Sequence, residues 1–512
     1  MADVADLGAA SGAVFRQPLP RVTVFSYSLG HVLNDLTAAC WFSYLLLYLE
    51  KAQGLSPLQA GVVLFCGQIF DGLATPAVGI FSDRSRGLPA LGLGRRKLWN
   101  LGGAIIVALC FLGVFGSCVV CVLSAPGAPP PTSAARAASA AVFASLFNVG
   151  WAAVQVSHMA LVPELTSDDV ERVLLNSARY ANTVLSNCFV FLVMLAVLKG
   201  AIPTGVPDGS DDYNKATTYQ TLSFIVLGVG GVCTALFLAG TPEPLKSSGA
   251  AQLEGEGGAY DELNAVAAPL VERDAEAARE AVPPTAPAAL SGAGARPAQM
   301  AWRNWLELRA FYLVTAVYAL TRLATNVSQV YLSFYVTASL RMDETAIALV
   351  PLLLYISQLT ATATMKRIAL RFGRRNSMAI GTALIAAACG LMLTLTPQSS
   401  GGVYFAMLLL GAGSAISMVI SVSMQADLIG SNTESGAFVY GAMSFVDKVA
   451  NGIAILVVQY VGDAINDGDT KADYIRNVTG VLPMICIAAA MLFCALIKFP
   501  KHLQAQGALP KS

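Results

Sequence analysis

Charge is what this sequence has least of. Only 12% of its 512 residues are Asp, Glu, Lys or Arg, about half the share of a typical soluble domain. Acids and bases balance to a net charge of zero, so the basic footprint of a nucleic-acid partner is missing. Histidine is scarcer still, with 3 residues. Neither His31 nor His158 belongs to a Cys/His cluster at ligand spacing, so no metal or cofactor site is expected. Alternating strand patterns are absent, which argues against a β-barrel. There is no Gly-x-Ser-x-Gly, no P-loop and no loop, one low-complexity tract apart, that could house a catalytic domain, so an enzyme is not expected. The 10 cysteines all fall in or at the ends of apolar segments and read as small core residues, not a disulfide framework. Residues 1–20 lack the apolar stretch of a cleavable signal, so the first apolar segment is expected to act as its own insertion signal.

What the chain has instead is apolar length. It is 55% hydrophobic, with a mean hydropathy of +0.61. Runs of about 20 apolar residues recur along it, the pattern of a polytopic all-α membrane protein. The windows predict about twelve spans, near 22–49, 59–81, 98–123, 138–161, 178–199, 218–239, 308–337, 344–366, 376–396, 402–424, 437–462 and 477–499. This divides the chain into an N-terminal tail (1–21), a six-helix bundle (22–239), a linker (240–305), a second six-helix bundle (306–499) and a C-terminal tail (500–512). The linker, rich in Ala, Glu, Gly and Pro, has no sustained apolar face and is expected to be disordered. Lys and Arg concentrate in the 2–3 loop (Arg84, Arg86, Arg95, Arg96, Lys97) and the 8–9 loop (Lys366, Arg367, Arg371, Arg374, Arg375). The positive-inside rule then puts both tails and the linker in the cytoplasm.

The halves repeat. Gly94-Arg95-Arg96 with Gly102 corresponds to Gly373-Arg374-Arg375 with Gly381, and Glu164 with Glu171 corresponds to Asp427 with Glu434. This order supports a 6+6 duplication.

Polar groups inside the spans are the candidate site, because a central carboxylate costs roughly +2.5–3.5 kcal/mol on the insertion scale unless it has a partner or lines water. Tyr27, His31, Asn34 and Asp35 fall on one face of span 1, and Gln68, Asp71 and Thr75 on one face of span 2. Asp35 and Asp71 could share a proton or cation, hold a substrate ammonium, or each simply bond a neighbouring Ser, Asn or Tyr. His158 lies on a stripe with Asn148, Trp151 and Gln155 in span 4. Span 7 carries Arg322 with Thr325, Asn326 and Gln329. Span 11 carries adjacent Asp447 and Lys448, which point about 100° apart and need separate partners. Asp447 shares a face with Asn451. Lys448 could answer Asp35 or Asp71, bind a substrate carboxylate, or snorkel to the interface.

Gly79-Ile80-Phe81-Ser82-Asp83-Arg84, completed by Gly94-Arg95-Arg96, resembles the 2–3 loop signature of the major facilitator superfamily, with an insertion between its two parts. Asp83, Arg84, Arg95 and Arg96, with Arg374 and Arg375 in the second half, are expected to form a cytoplasmic gate, or only to fix topology. The blocks Gly30-His31 to Asn34-Asp35, Trp41 to Tyr48, Gln68-x-x-Asp71-Gly72, Gly150-Trp151, Ser157-His158, Arg179-Tyr180-Ala181 and Asp447 to Gly452 resemble the major facilitator superfamily domain-containing protein 12 family. More distantly the chain is similar to glycoside–pentoside–hexuronide:cation symporters, where Asp35 and Asp71 match two cation- and sugar-binding acids. Thr75 stands where that family has a further acid, which departs from sodium coupling. The closer resemblance implies an all-α major facilitator fold of twelve helices and import of cysteine into lysosomes or melanosomes, with a proton or sodium as companion. The alternatives are a cation-coupled sugar or lysolipid symporter and a non-transporting membrane scaffold or sensor. Beyond a small-molecule substrate and membrane lipid, no partner is implied.

Overall fold

The computed structural model describes residues 19–88, 90, 92–116, 129–166, 168–201, 211–243, 302–429 and 433–497. Nearly all of both tails and most of the expected linker lie outside them, as do Cys118 and Cys121.

Hydrocarbon offers no hydrogen-bond partners, so a chain this apolar must satisfy its backbone internally. Every regular element among the described residues is helical apart from one isolated bridge, Leu88 to Leu93. Among the described residues, 11 helices are long and apolar enough to cross a membrane: Arg21–Ala52, Pro57–Arg84, Arg95–Phe115, Ser133–Leu165, Leu174–Leu198, Ala216–Gly240, Ala346–Met365, Arg371–Thr394, Gly402–Ile429, Phe438–Asp463 and Gly468–Leu496. Arg309–Phe334 is as long but more polar, and takes the seventh place in the order.

Several limits differ from those expected, for identifiable reasons. Span 1 is not one helix: Arg21–Leu29 and Val32–Leu47 meet at a break at Gly30-His31, and a π-helical turn, Tyr48–Ala52, follows. Spans 4 and 12 begin earlier than the apolar windows, because polar caps extend them. Thr132 accepts from the Ala135 amide at 3.2 Å, and Asp467 from the Thr470 amide at 2.8 Å. Span 3 ends at Phe115, and the remaining residues expected in it lie outside the described segments. Spans 8 and 9 run on as Ala346–Thr394, broken only at Gly373, whose φ of 72° suits glycine.

The duplication extends into packing detail. Span 7 also ends in a π-helical turn, Tyr335–Ser339. The first residue of each turn does the same job: Tyr48 donates to the Gly116 carbonyl at 2.7 Å, and Tyr335 to the Met392 carbonyl at 2.6 Å. Spans 3 and 4 touch at Gly103 and Gly150, and spans 9 and 10 at Gly381 and Gly413. A Cβ on Gly103 or on Gly413 would meet the opposing glycine carbonyl at 2.8 Å, so only glycine allows these crossings. The equivalent of Gly381 is therefore Gly103, not Gly102 as the sequence match suggested; Gly102 has open space around it.

The first six helices meet the last six where span 2 packs on span 11, span 5 on span 8 and span 1 on span 7. From mid-span to the 1–2 loop face, polar contacts join them. Ser333 donates to the Ser43 carbonyl at 3.0 Å, Tyr44 to the Ile347 carbonyl at 3.3 Å, and Gln459 to Glu50 at 2.5 Å.

Candidate functional site

Two polar clusters occupy the middle of the molecule. The first joins the halves. Asp71 of span 2 and Lys448 of span 11 form a buried ion pair, and the ammonium also lies 3.3 Å from Thr75 Oγ1 and 5.4 Å over the Trp151 ring. Asp447, one residue before Lys448, turns the other way. It accepts from Arg322 Nε at 3.1 Å and from Asn451 Nδ2 at 2.7 Å. Adjacent helical residues diverge, so one helix turn feeds two ion pairs on two different spans. Gln68 is buried beside them, its Cβ 3.2 Å from where a Cβ on Gly452 would lie. Two acids and two bases sum to zero. Such a quartet stays folded because each charge has a partner, yet each partner is exchangeable for a ligand group of the same sign.

The second cluster belongs to the first half. Asp35 and Asp71 do not share a site, as their faces had allowed; each has its own basic partner. His31 Nδ1 lies 3.0 Å from Asp35 Oδ1, and Thr183 donates to Oδ2 at 3.0 Å. Lys448 answers Asp71 and not Asp35, because His31 sits one turn before Asp35 on the same helix. Asn34 donates to the Trp151 carbonyl at 2.8 Å, while the Trp151 indole donates to the Asn34 carbonyl at 3.2 Å. His158 stacks on Tyr27 with ring centroids 4.3 Å apart, and its Nε2 is 2.8 Å from the Tyr27 carbonyl. This contact needs Gly30, where a Cβ would lie 2.5 Å from the His158 ring.

The 2–3 loop residues form ionic contacts within the first half. Arg96 bonds Asp83 at 2.5 Å and Glu164 at 3.0 Å, and Arg95 bonds Glu164 at 2.8 Å. Within the insertion between Asp83 and Gly94, Leu88 and Leu93 exchange backbone hydrogen bonds. In the second half Arg374 pairs with Asp427, and Arg375 donates to the Ile497 carbonyl at 2.8 Å. Arg96–Glu164 and Arg374–Asp427 are thus equivalent pairs, in the same one-residue register as the glycine crossings. Glu243, just past span 6, accepts from the backbone amides of Arg96 and Lys97 at 2.7 and 2.9 Å. A carboxylate there answers the exposed donors of a helix N-terminus. Sequence reading missed Glu243, which looked like the start of the linker, and also missed Thr183 and the Glu50–Gln459 contact.

These paired helices and mid-membrane charges find their counterpart among known families. The family described as MFS/sugar transport protein matches residues 26–267 and 276–501. The chain belongs to this major facilitator family. Major facilitator superfamily domain-containing protein 12 of Equus caballus is 38% identical over 495 residues, 95% of each chain. The protein of that name from Homo sapiens is 37% identical over 506 residues, 97% of each. The inward-open xylose transporter XylE from E. coli has a similar fold, with a TM-score of 0.63 at 13% identity over 94% of this chain and 98% of that one. The chain is accordingly a multi-pass membrane protein of the major facilitator type, whose members move small molecules.

Proposed function

We propose that this transporter moves a small zwitterionic amino acid by alternating access, and that the solute is cysteine imported into lysosome-like organelles. The observation that carries the reading is the Asp71–Lys448 pair across the two halves. A zwitterion can enter it by giving its ammonium to Asp71 and its carboxylate to Lys448. The exchange leaves no charge unpaired and adds no net charge, as the low-dielectric path requires. The same exchange loosens the contact between spans 2 and 11, linking occupancy to rocking of one six-helix bundle against the other. Arg322, Asp447 and Asn451 hold span 11 in register, and Gln68 lies buried beside the quartet.

With both tails in the cytoplasm, the contacts from Ser43 to Gln459 lie on the organelle side and hold the two halves together there. The Arg96–Asp83–Glu164 and Arg374–Asp427 contacts then brace helix ends on the cytoplasmic side, with Arg84 and Arg375 beside them. Cysteine itself comes from the family resemblance, not from the quartet, which recognises the zwitterion.

The test is uptake of labelled cysteine into vesicles holding the purified protein, in competition with other amino acids and with sugars. Saturable cysteine uptake lost in Asp71→Asn and Lys448→Ala supports the reading. Sugar uptake without amino-acid uptake replaces it with the sugar-symport alternative, since an uncharged polyol has no use for an exchangeable ion pair.

A further inference from the structure

We propose that a cavity on the 1–2 loop face is a second binding site for a zwitterionic amino acid, and that solute held there keeps the two halves from parting. The inference deepens the reading above and rests on it for the class of solute.

The cavity has a volume of about 150 Å³ and takes its walls from both halves. Span 1 gives Leu47 and Lys51, and span 6 gives Thr218 and Tyr219; the second half answers with Glu344 and Ile347. A water needs about 10–15 Å³ of such space, so a solute of several heavy atoms fits.

This space lies apart from the central quartet. Tyr44, which donates to the Ile347 carbonyl, packs against Tyr219 and Phe191 with ring centroids 6.2 and 5.8 Å away. Phe191 stacks in turn on Tyr355 at 5.3 Å. Tyr355 accepts from Gln329 at 2.9 Å and lies within electrostatic reach of Arg322. Rings from spans 1, 5, 6 and 8 thus form a layer between the cavity and the quartet. A solute in the cavity is on the far side of that layer.

The charges at the rim set the class of ligand. Lys51 and Glu344 are both exposed, and they come from different halves. A base and an acid on opposite walls match the carboxylate and the ammonium of one amino acid. Leu47 and Ile347, both buried, offer its side chain an apolar floor, and Thr218 offers a hydroxyl beside it. A solute with one charge leaves one side of the rim unanswered.

The walls meet only while the halves are together on this face. A ligand held between them favours that arrangement, by as much as it prefers the joined walls to the parted ones. Its bridge from Lys51 to Glu344 adds to the Ser333–Ser43, Tyr44–Ile347 and Gln459–Glu50 contacts. Solute that has accumulated on the 1–2 loop face therefore slows opening there, and the transporter is restrained by its own product.

The experiment has two arms. In the first, binding of labelled cysteine is measured on purified Asp71→Asn/Lys448→Met in lipid nanodiscs, which has no central pair. Saturable binding is expected to remain, and to be lost when Lys51→Gln or Glu344→Gln is added. Cysteamine, which lacks the carboxylate, and 3-mercaptopropionate, which lacks the ammonium, should each compete about tenfold more weakly than cysteine. No saturable binding, or binding that ignores both rim substitutions, overturns the site. Competition by either analogue as strong as by cysteine overturns the zwitterion as its ligand. In the second arm, vesicles with the 1–2 loop face inward are preloaded with unlabelled cysteine, and initial uptake of labelled cysteine is followed. Preloading should slow uptake several-fold in the wild type and much less in Lys51→Gln and Glu344→Gln, whose uptake into empty vesicles should match the wild type. Equal slowing in all three, or none in the wild type, overturns the restraint. If Asp71→Asn/Lys448→Met does not fold, this second arm decides. If uptake is absent throughout, the zwitterion reading of the central pair fails, while binding in nanodiscs still decides the cavity.

Discussion

Asp447 and Lys448 are neighbours in sequence and strangers in space. Each belongs to a different ion pair, and that arrangement makes a sharp prediction. Lys448→Ala leaves Asp71 buried without its cation, and a single break of this kind costs about 3–5 kcal/mol. The double variant Asp71→Asn/Lys448→Met removes both charges and should recover most of that stability, because no buried charge is stranded. Its uptake should stay absent. Thermal unfolding in detergent and vesicle uptake, measured on the same preparations, separate the two effects; a double variant no more stable than Lys448→Ala would show that the pair does not govern stability. At this scale the sequence was informative about which residues matter and poor at pairing them. Lys448 had two candidate acids, Asp35 and Asp71, and only packing of span 2 on span 11 chooses between them. Trp151 was read only as part of the His158 stripe, although its indole donates to the Asn34 carbonyl and lies under the Lys448 ammonium.

At the scale of the helix, glycine pairs set the crossings. Gly150→Ala would place a methyl 2.9 Å from the Gly103 carbonyl, and backbone cannot swing aside as a side chain can. A cost of about 1–3 kcal/mol is expected, with the same for Gly413→Ala. Gly102→Ala meets open space and should gain about 0.5–1 kcal/mol from helix propensity. Thermal melts of the three variants check the structural register directly, since the sequence match had chosen Gly102. The start of span 12 offers a pH test. Hydrogen bonds from the Thr470 hydroxyl and amide hold the Asp467 carboxyl below its usual range. A lowered native pKa means the cap contributes above the unfolded value and is lost only as pH falls through the native one. The cap should therefore survive in mild acid, and amide exchange at Thr470 should stay slow at pH 5. Existence of the helices was legible from apolar length alone. Their ends were not, because caps such as Asp467 and breaks such as Gly30 and Gly373 are set by single polar or glycine residues.

At the scale of the whole transporter, the halves hold each other on the 1–2 loop face. Gln459→Ala removes the contact to Glu50 and should shift the population toward the state open on that side. A cysteine introduced at Leu47, now 6% exposed, should then label faster with an impermeant maleimide applied to that face. Equal labelling in both backgrounds would mean that Gln459 does not hold the seal. The duplication was visible in the sequence as scattered Gly, Arg and acid matches. Its full extent was not, because the twin tyrosines Tyr48 and Tyr335 act through carbonyls, which leave no trace in side-chain identity.

The neutral quartet also has an electrical consequence. Asp71, Lys448, Asp447 and Arg322 sum to zero, so rocking them through the membrane field does no net work, and a zwitterion adds none. A carried elementary charge is worth about 2.3 kcal/mol per 100 mV, so uptake of a zwitterion through the quartet alone should be indifferent to membrane voltage, and a voltage-dependent rate in vesicles would show that a further charge crosses with it.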